Sequence, residues 1–95
     1  MKIEVTGEWK KIEDEVTIDA ATEYLLSNQS LVPFIFEHSA EEPEDEVGDT
    51  VLGIGQQAVY MKGSSTNSLW VHLDTKYSMH NSGTAKYLSI REAGE

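Results

Sequence analysis

Short apolar runs alternate with polar segments along the chain, and the two clearest runs flank one polar segment. These runs are Ala58 to Lys62 and Leu69 to Asp74, and they contain Val59, Tyr60 and Trp70. β-Branched and aromatic residues of this kind fit the pleated, half-buried surface of a strand. The segment between the runs consists of glycine, serine, threonine and asparagine, which tolerate turn geometry. The pattern therefore predicts a β-hairpin around which the rest of the chain is organised.

Several further strands are predicted before this hairpin, three of them from composition. Lys2 to Val5 has alternating character, and Val16 to Ile18 is β-branched. Leu31 to Glu37 is the most hydrophobic run, and its composition predicts a strand buried on both faces. Pro33 cannot donate to a strand ladder, so this strand is expected to begin effectively at Phe34.

Residues 20–27 fit two different structures. Asp19 could cap a short helix that turns Leu25 and Leu26 inward. Alternatively, Glu23 to Ser27 forms a strand, and the residues before it form a loop. The helix would span only about eight residues, which is too short to be stable without packing. Because the neighbouring segments predict strands, the strand is favoured here.

The second half of the chain also predicts short strands. Thr50 to Ala58 is apolar but is interrupted by Gly53 and Gly55, which indicate a bulge or a turn. This pair of glycines is not a dinucleotide-binding motif, because the third glycine and the following helix are missing. Thr75 to Thr84 predicts a loop with a second turn, and Ala85 to Arg91 predicts a closing strand.

The predicted fold is all-β. About six to eight short strands at regular spacing indicate a small antiparallel β-sandwich or barrel, jelly-roll-like, with little or no helix. The 95 residues are expected to form a single domain, 1–95. The sequence contains no cysteine, so neither disulfides nor thiolate zinc sites stabilise it, and contacts between subunits are a natural alternative.

Charge is distributed unevenly along the chain. The net charge is −10, and residues 1–49 hold fourteen acidic and three basic residues, whereas residues 50–95 hold three acidic and four basic ones. An acidic first half argues against direct binding of nucleic acid, which requires a cationic patch. It suits a cationic partner or the less acidic half of a neighbouring copy. The simplest alternative is an acidic face that keeps the protein soluble.

The acidic residues concentrate in a loop at 38–49, where six of the last nine residues are acidic. Close carboxylates suggest a hard cation such as calcium. The loop lacks the alternating ligands, central glycine and closing glutamate of the twelve-residue calcium motif, so a solvated loop is the preferred interpretation.

Residues with catalytic chemistry are sparse. His72 and Asp74 share one face of a predicted strand, and His80 follows, so two histidines and one carboxylate form a possible metal set. Nothing in the sequence requires them to converge, and a surface histidine beside a solvated aspartate is the ordinary case. The serines show no nucleophile motif. We therefore expect no enzymatic activity, no metal and no cofactor.

The sequence predicts no membrane association. No apolar run approaches the roughly 20 residues needed to span a bilayer, and the first residues lack the apolar region of a signal peptide. The protein is expected to be made in the cytoplasm.

A series of loosely spaced positions resembles small β-structured accessory proteins of tailed bacteriophages, which decorate the capsid or sit on the tail. The matching positions are Trp9, Tyr24 to Ser30, the apolar run to Phe36, Ala40 to Pro43, Gly48 to Leu52 and Val59 to Gly63. The resemblance implies a virion structural protein that forms a homo-oligomer and binds other virion proteins of the capsid or tail. It also implies that the protein, made in the host cytoplasm, ends in the virion.

Exposed aromatic residues and the acidic loop are the expected contacts of such a protein. The candidates are Trp9, Glu41, Glu42, Glu44, Asp45, Glu46, Trp70 and Tyr77, with Tyr87 as a further aromatic. The alternative function is that of an acidic phage-encoded inhibitor, which mimics nucleic acid and binds a host defence protein.

Overall fold

The computed structural model describes residues 1–44, 48, 50–74 and 86–93. Within these residues the chain forms eight strands and one helical turn. The strands are β1 (Lys2–Glu4), β2 (Lys10–Lys11), β3 (Tyr24–Asn28), β4 (Phe34–Ser39), β5 (Thr50–Leu52), β6 (Gln57–Tyr60), β7 (Ser68–Leu73) and β8 (Tyr87–Glu92), and the helical turn α1 is Ile12–Glu15.

The strands form two antiparallel sheets of four. Sheet 1 has the order β1-β8-β3-β6, and sheet 2 has the order β2-β7-β4-β5. Among the described strands, only β4 and β5 are consecutive in the chain and paired with each other, and every other connection passes from one sheet to the other. Eight strands in this order form a jelly roll. The predicted all-β, jelly-roll-like sandwich is therefore confirmed.

The core lies between the sheets and follows the period of two that strands impose. In β3, Tyr24, Leu26 and Asn28 are buried, while Leu25 and Ser27 are half-buried. The hydrophobic core comprises Ile3, Val5, Ile12, Tyr24, Leu26, Val32, Phe34, Phe36, Leu52, Tyr60, Leu69, Val71, Leu73, Leu88 and Ile90. Every strand except β2 contributes at least one of these side chains.

The predicted central hairpin is wrong. β6 pairs with β3 in sheet 1, whereas β7 pairs with β2 and β4 in sheet 2. Residues 61–67 connect the two strands. This connection is longer than the short loops of tight β-hairpins. It is fixed to another part of the chain, because Gly63 N donates to Ala20 O (2.8 Å) and Lys62 Nζ to Glu13 Oε1 (2.8 Å).

The strand predicted at Val16 to Ile18 is also absent from the structure. The chain instead forms β2 and α1 just before it, and Val16 and Ile18 pack against the core from the connection that leads to sheet 1. Packing has overridden the local preference of β-branched residues for strands. Across the described residues, no helix is long and apolar enough to cross a membrane.

The other predicted strands of the described residues are confirmed within a few residues. Residues 24–28 form the strand β3, and the alternative helix over residues 20–27 is absent. Asp19 closes a tight turn instead of starting a helix. In this turn Oδ1 of Asp19 accepts a hydrogen bond from Ala21 N, and Thr22 N donates to Asp19 O. β4 begins at Phe34, as the position of Pro33 predicted. The loop predicted at 75–84 lies outside the described residues.

Candidate functional site

An acidic cleft of about 500 Å³ lies on the outer face of sheet 2. We call it the acidic cleft, and its lining residues are Gly7, Glu8, Trp9, Glu42, Pro43, Glu44 and His72. Two connections and one strand build it. The β1–β2 connection supplies residues 7–9, the β4–β5 connection supplies residues 42–44, and β7 supplies His72. The volume falls in the range of small-ligand sites in proteins.

His72 is buried beneath this cleft. Alternation along β7 turns Leu69, Val71 and Leu73 towards the core, which places His72 on the opposite face, yet its exposed fraction is only 3%. The Trp9 ring covers it, with ring centroids 5.0 Å apart and planes at 55°. The expectation of a surface histidine at this position was wrong, because a neighbouring connection folds over the sheet.

Hydrogen bonding fixes the tautomer of His72. Its Nδ1 lies 2.5 Å from the carbonyl oxygen of Leu73, and a carbonyl can only accept, so Nδ1 carries the proton. In the neutral ring, Nε2 is then an acceptor. Asp74 follows two residues later, and His80 lies outside the described residues. Within the described part of the chain, no three histidine, aspartate or glutamate side chains are grouped so as to hold a metal ion.

Gly48 brings the acidic connection close to sheet 2. A Cβ atom at this position would collide with Cγ2 of Ile35 and with the carbonyl oxygen of Phe36. Only glycine permits this approach of one backbone to another. Ile35 is consequently buried, with 8% of its surface exposed, although it lies between the core-facing residues Phe34 and Phe36 on β4.

The cleft concentrates negative charge. Within the described residues, none of the carboxylates of Glu8, Glu42 and Glu44 makes an ion pair. Two lysines are engaged elsewhere: Lys10 Nζ donates to the carbonyl of Glu4 (2.6 Å) and lies 3.7 Å from Glu15, and Lys62 pairs with Glu13. Carboxylates beside an indole ring suit a cation, which gains from opposite charge and from the π face.

The structure brings together three of the residues predicted to contact a partner. Trp9, Glu42 and Glu44 line the acidic cleft, and Glu41 is exposed just before it. Asp45, Glu46 and Tyr77 lie outside the described residues.

The other two predicted aromatic contacts are elsewhere. Trp70 lies on β7 opposite Lys11 and Glu37, and its Nε1 donates to Ser39 O (3.0 Å), which ties it to the end of β4. Tyr87 lies in sheet 1, with Lys2 Nζ 5.9 Å from its ring centroid. Neither belongs to the cleft.

The sequence did not identify His72 as the floor of the cleft or Gly48 as the residue that positions its wall. The alternation of β7 does place His72 opposite Val71, which was a usable signal for the outer face. Its burial depends on residues far away in sequence, for which the local pattern holds no signal.

A second, apolar cavity of about 130 Å³ lies between the sheets beside β5 and β6. Its lining residues are Leu26, Phe36, His38, Thr50, Leu52, Ala58, Val59, Tyr60 and Leu69. Tyr60 is 8% exposed, and its hydroxyl is the only buried side-chain polar atom of the described residues without a hydrogen-bond partner. Burial, and then the negative charge of Glu13, raise the pKa of Tyr60 above its usual value.

No family model, curated protein or solved structure gives a significant match to this chain. Its function is therefore inferred from the chemistry of its own surface.

Proposed function

We propose that this protein is a non-enzymatic binding module that attaches to a cationic segment of another protein through the acidic cleft. The observation that carries the proposal is the convergence of Trp9, Glu8, Glu42 and Glu44 over the buried ring of His72. These side chains come from separate connections and meet only in the folded protein.

The chemistry of the cleft favours a lysine or arginine side chain as its occupant. Each of these side chains carries an apolar stem that can lie along an indole ring and a cationic head that carboxylates can bind. The carboxylates would also attract a basic partner over a distance of about a Debye length.

Another virion protein is the partner that we propose for this module. Jelly rolls occur in viral capsid proteins, lectins and cupins, so the fold alone does not choose among these functions. The resemblance to phage accessory proteins supports the capsid or the tail as its location. A standard interface of about 800 Å² per partner would cover roughly a seventh of the 5595 Å² surface, which is sufficient for stable attachment.

A titration followed by nuclear magnetic resonance tests the cleft directly. The probe is a capped peptide of alternating glycine and arginine, and the control peptide has glutamine in place of arginine. We expect the arginine peptide to shift the backbone amide signals of residues 7–9, Glu42 and Glu44, and the control peptide to leave them unchanged.

Matched variants separate the cleft from general charge. The double substitution of Glu42→Gln and Glu44→Gln should weaken arginine-peptide binding by about tenfold. The double substitution of Glu23→Gln and Glu92→Gln removes two exposed carboxylates outside the cleft and should have a much smaller effect. Equal losses, or shifts scattered over the whole surface, would refute a discrete site. Binding to the nucleic-acid groove of a defence protein instead would favour the inhibitor.

A further inference from the structure

The strands at the four sheet edges differ in charge. β1 carries Lys2 and Glu4, and β2 consists of Lys10 and Lys11, whereas β5 and β6 carry no charge. β6 is the longest of the four, and it contains no proline. Charged residues and prolines at an edge prevent it from pairing with other strands. β6 therefore lacks these two common protections.

The uncharged edge belongs to a longer neutral segment. Residues 50–61 contain no charged side chain, although the chain as a whole carries −10. Ile54, Val59 and Met61 are 55%, 64% and 49% exposed. Two molecules of like charge repel each other, and a neutral apolar contact surface reduces that repulsion where they meet.

The register of sheet 1 shows which backbone groups of β6 face outward. Asn28 N donates to Gln56 O (3.1 Å) one residue beyond the register pair of Ser27 and Gln57, so this is a position of hydrogen-bonded pairs in the β3–β6 ladder. Such pairs recur at every second position in an antiparallel ladder. Ala58 and Tyr60 consequently bond to β3, while the N–H and C=O groups of Gln57 and Val59 point to the open edge.

We propose that β6 pairs antiparallel with β6 of a second copy of this chain, so that sheet 1 continues across a two-fold axis. Antiparallel pairing of identical strands satisfies the two-fold symmetry that most homodimers have, because each copy supplies the same groups. Alternation places Val59 on the outer face of sheet 1, where it would pack beside the second copy.

A second copy fits this edge better than a basic partner does. A basic protein would gain nothing from an uncharged strand, whereas two acidic copies need a neutral surface on which to meet. The pairing also covers the side of the apolar cavity formed by Ala58, Val59 and Tyr60. No residue of β6 lines the acidic cleft, so the dimer leaves that cleft open.

The test is the molar mass of the full chain in solution, measured by light scattering over a range of concentrations. We expect the wild type to reach twice the 10.6 kDa of one chain. Val59→Lys should raise the dimer dissociation constant by at least about a hundredfold, because it places like charges opposite each other. Leu31→Lys, at a residue 69% exposed outside β6, is the control and should remain dimeric. A monomeric wild type, or a Val59→Lys variant that stays dimeric, would overturn the proposal.

Cysteine cross-linking tests the pairing of β6 with variants that, unlike Val59→Lys, add no lysine to this edge. The natural chain has no cysteine, so any disulfide formed by a single-cysteine variant joins two copies. Of the variants Gln57→Cys, Val59→Cys and Met61→Cys, at least one should form a covalent dimer on mild oxidation much faster than Leu31→Cys. Equal rates in all four would show that β6 is not the contact.

Discussion

Two tyrosines that face each other across β3 and β6 have opposite polar environments. Tyr24 and Tyr60 are register partners, and both are buried. The hydroxyl of Tyr24 accepts a hydrogen bond from Asp19 N (2.8 Å), whereas the hydroxyl of Tyr60 has no partner. A buried hydroxyl without a partner costs about 1 to 3 kcal/mol. The same hydroxyl group therefore stabilises the fold at one position and destabilises it at the other.

Removing each hydroxyl should change stability in opposite directions. Tyr60→Phe should raise the free energy of unfolding by about 1 kcal/mol, because it removes a desolvated group, and Tyr24→Phe should lower it by about 1 kcal/mol. Urea denaturation at neutral pH measures both. A destabilised Tyr60→Phe variant would contradict the assignment of an unpartnered hydroxyl.

The raised pKa of Tyr60 should make stability fall in alkaline solution. The folded state favours the neutral phenol, so its contribution is fully present below the unfolded pKa of 10.0. This stabilising contribution is lost as pH rises from the unfolded pKa through the higher pKa of the folded state. Tyr60→Phe should remove this part of the loss. Urea denaturation of the wild type and of Tyr60→Phe just below and just above pH 10.0 tests this prediction. An equal fall of the urea midpoint with pH in the two proteins would argue against a raised pKa of Tyr60.

At the scale of elements, one amide side chain joins the two sheets. Asn28, at the end of β3, donates through Nδ2 to the carbonyls of Val32 (2.9 Å) and Leu52 (3.0 Å), and Leu52 belongs to sheet 2. Its Oδ1 accepts from Ser30 N and Oγ, both at 2.9 Å. The four bonds use the whole hydrogen-bonding capacity of its two Nδ2 hydrogens and two Oδ1 lone pairs.

Asn28→Asp should destabilise the protein by roughly 3 kcal/mol or more. The new carboxylate would face two carbonyl oxygens in a buried site, where neither can donate to it. Gln29→Glu makes the same change of charge at the next, exposed residue and should shift stability by no more than about 0.5 kcal/mol. Thermal or urea denaturation compares the two, and similar losses would show that charge alone is responsible.

Gly48→Ala should displace the acidic connection from sheet 2. The added methyl group collides with Ile35 and Phe36, which should cost about 1 to 3 kcal/mol of stability and weaken arginine-peptide binding. Gly7→Ala is the stability control, because a Cβ there meets no atom within 4 Å. A Gly48→Ala protein as stable as Gly7→Ala would show that this close approach is not required.

The sequence predicted the positions of most strands, because these depend on residues nearby in the chain. The neighbouring strand patterns favoured β3 over a short helix, and the apolar run with Pro33 located β4, because these signals depend only on residues nearby in sequence. The same signals cannot specify which strand lies beside which, so β6 and β7 were paired with each other. For the site, Trp9 and Glu42 were identified from residue type, but the burial of His72 depends on residues distant in sequence.

At the scale of the whole molecule, the two proposed surfaces should respond to salt in opposite ways. Raising ionic strength from about 50 to about 500 mM screens the repulsion between two acidic copies, so dimerisation through β6 should strengthen. The same change should weaken binding of an arginine peptide to the acidic cleft. Sedimentation and titration at both salt concentrations measure the two effects. A dimer that dissociates at high salt would indicate contact between unlike charges and would argue against the neutral edge.

The strand order also sets the timing of folding. β8 is the last strand in the described chain, yet it lies between β1 and β3. Sheet 1 therefore remains divided on the ribosome until residues 87–92 have been synthesised, because β1 pairs with β8. Contacts between residues so far apart in sequence slow the search for the native state, and all-β chains of this kind fold in milliseconds to seconds. During that interval the edge of β3 that pairs with β8 is open, and we expect this edge to favour binding of chaperones to the incomplete chain.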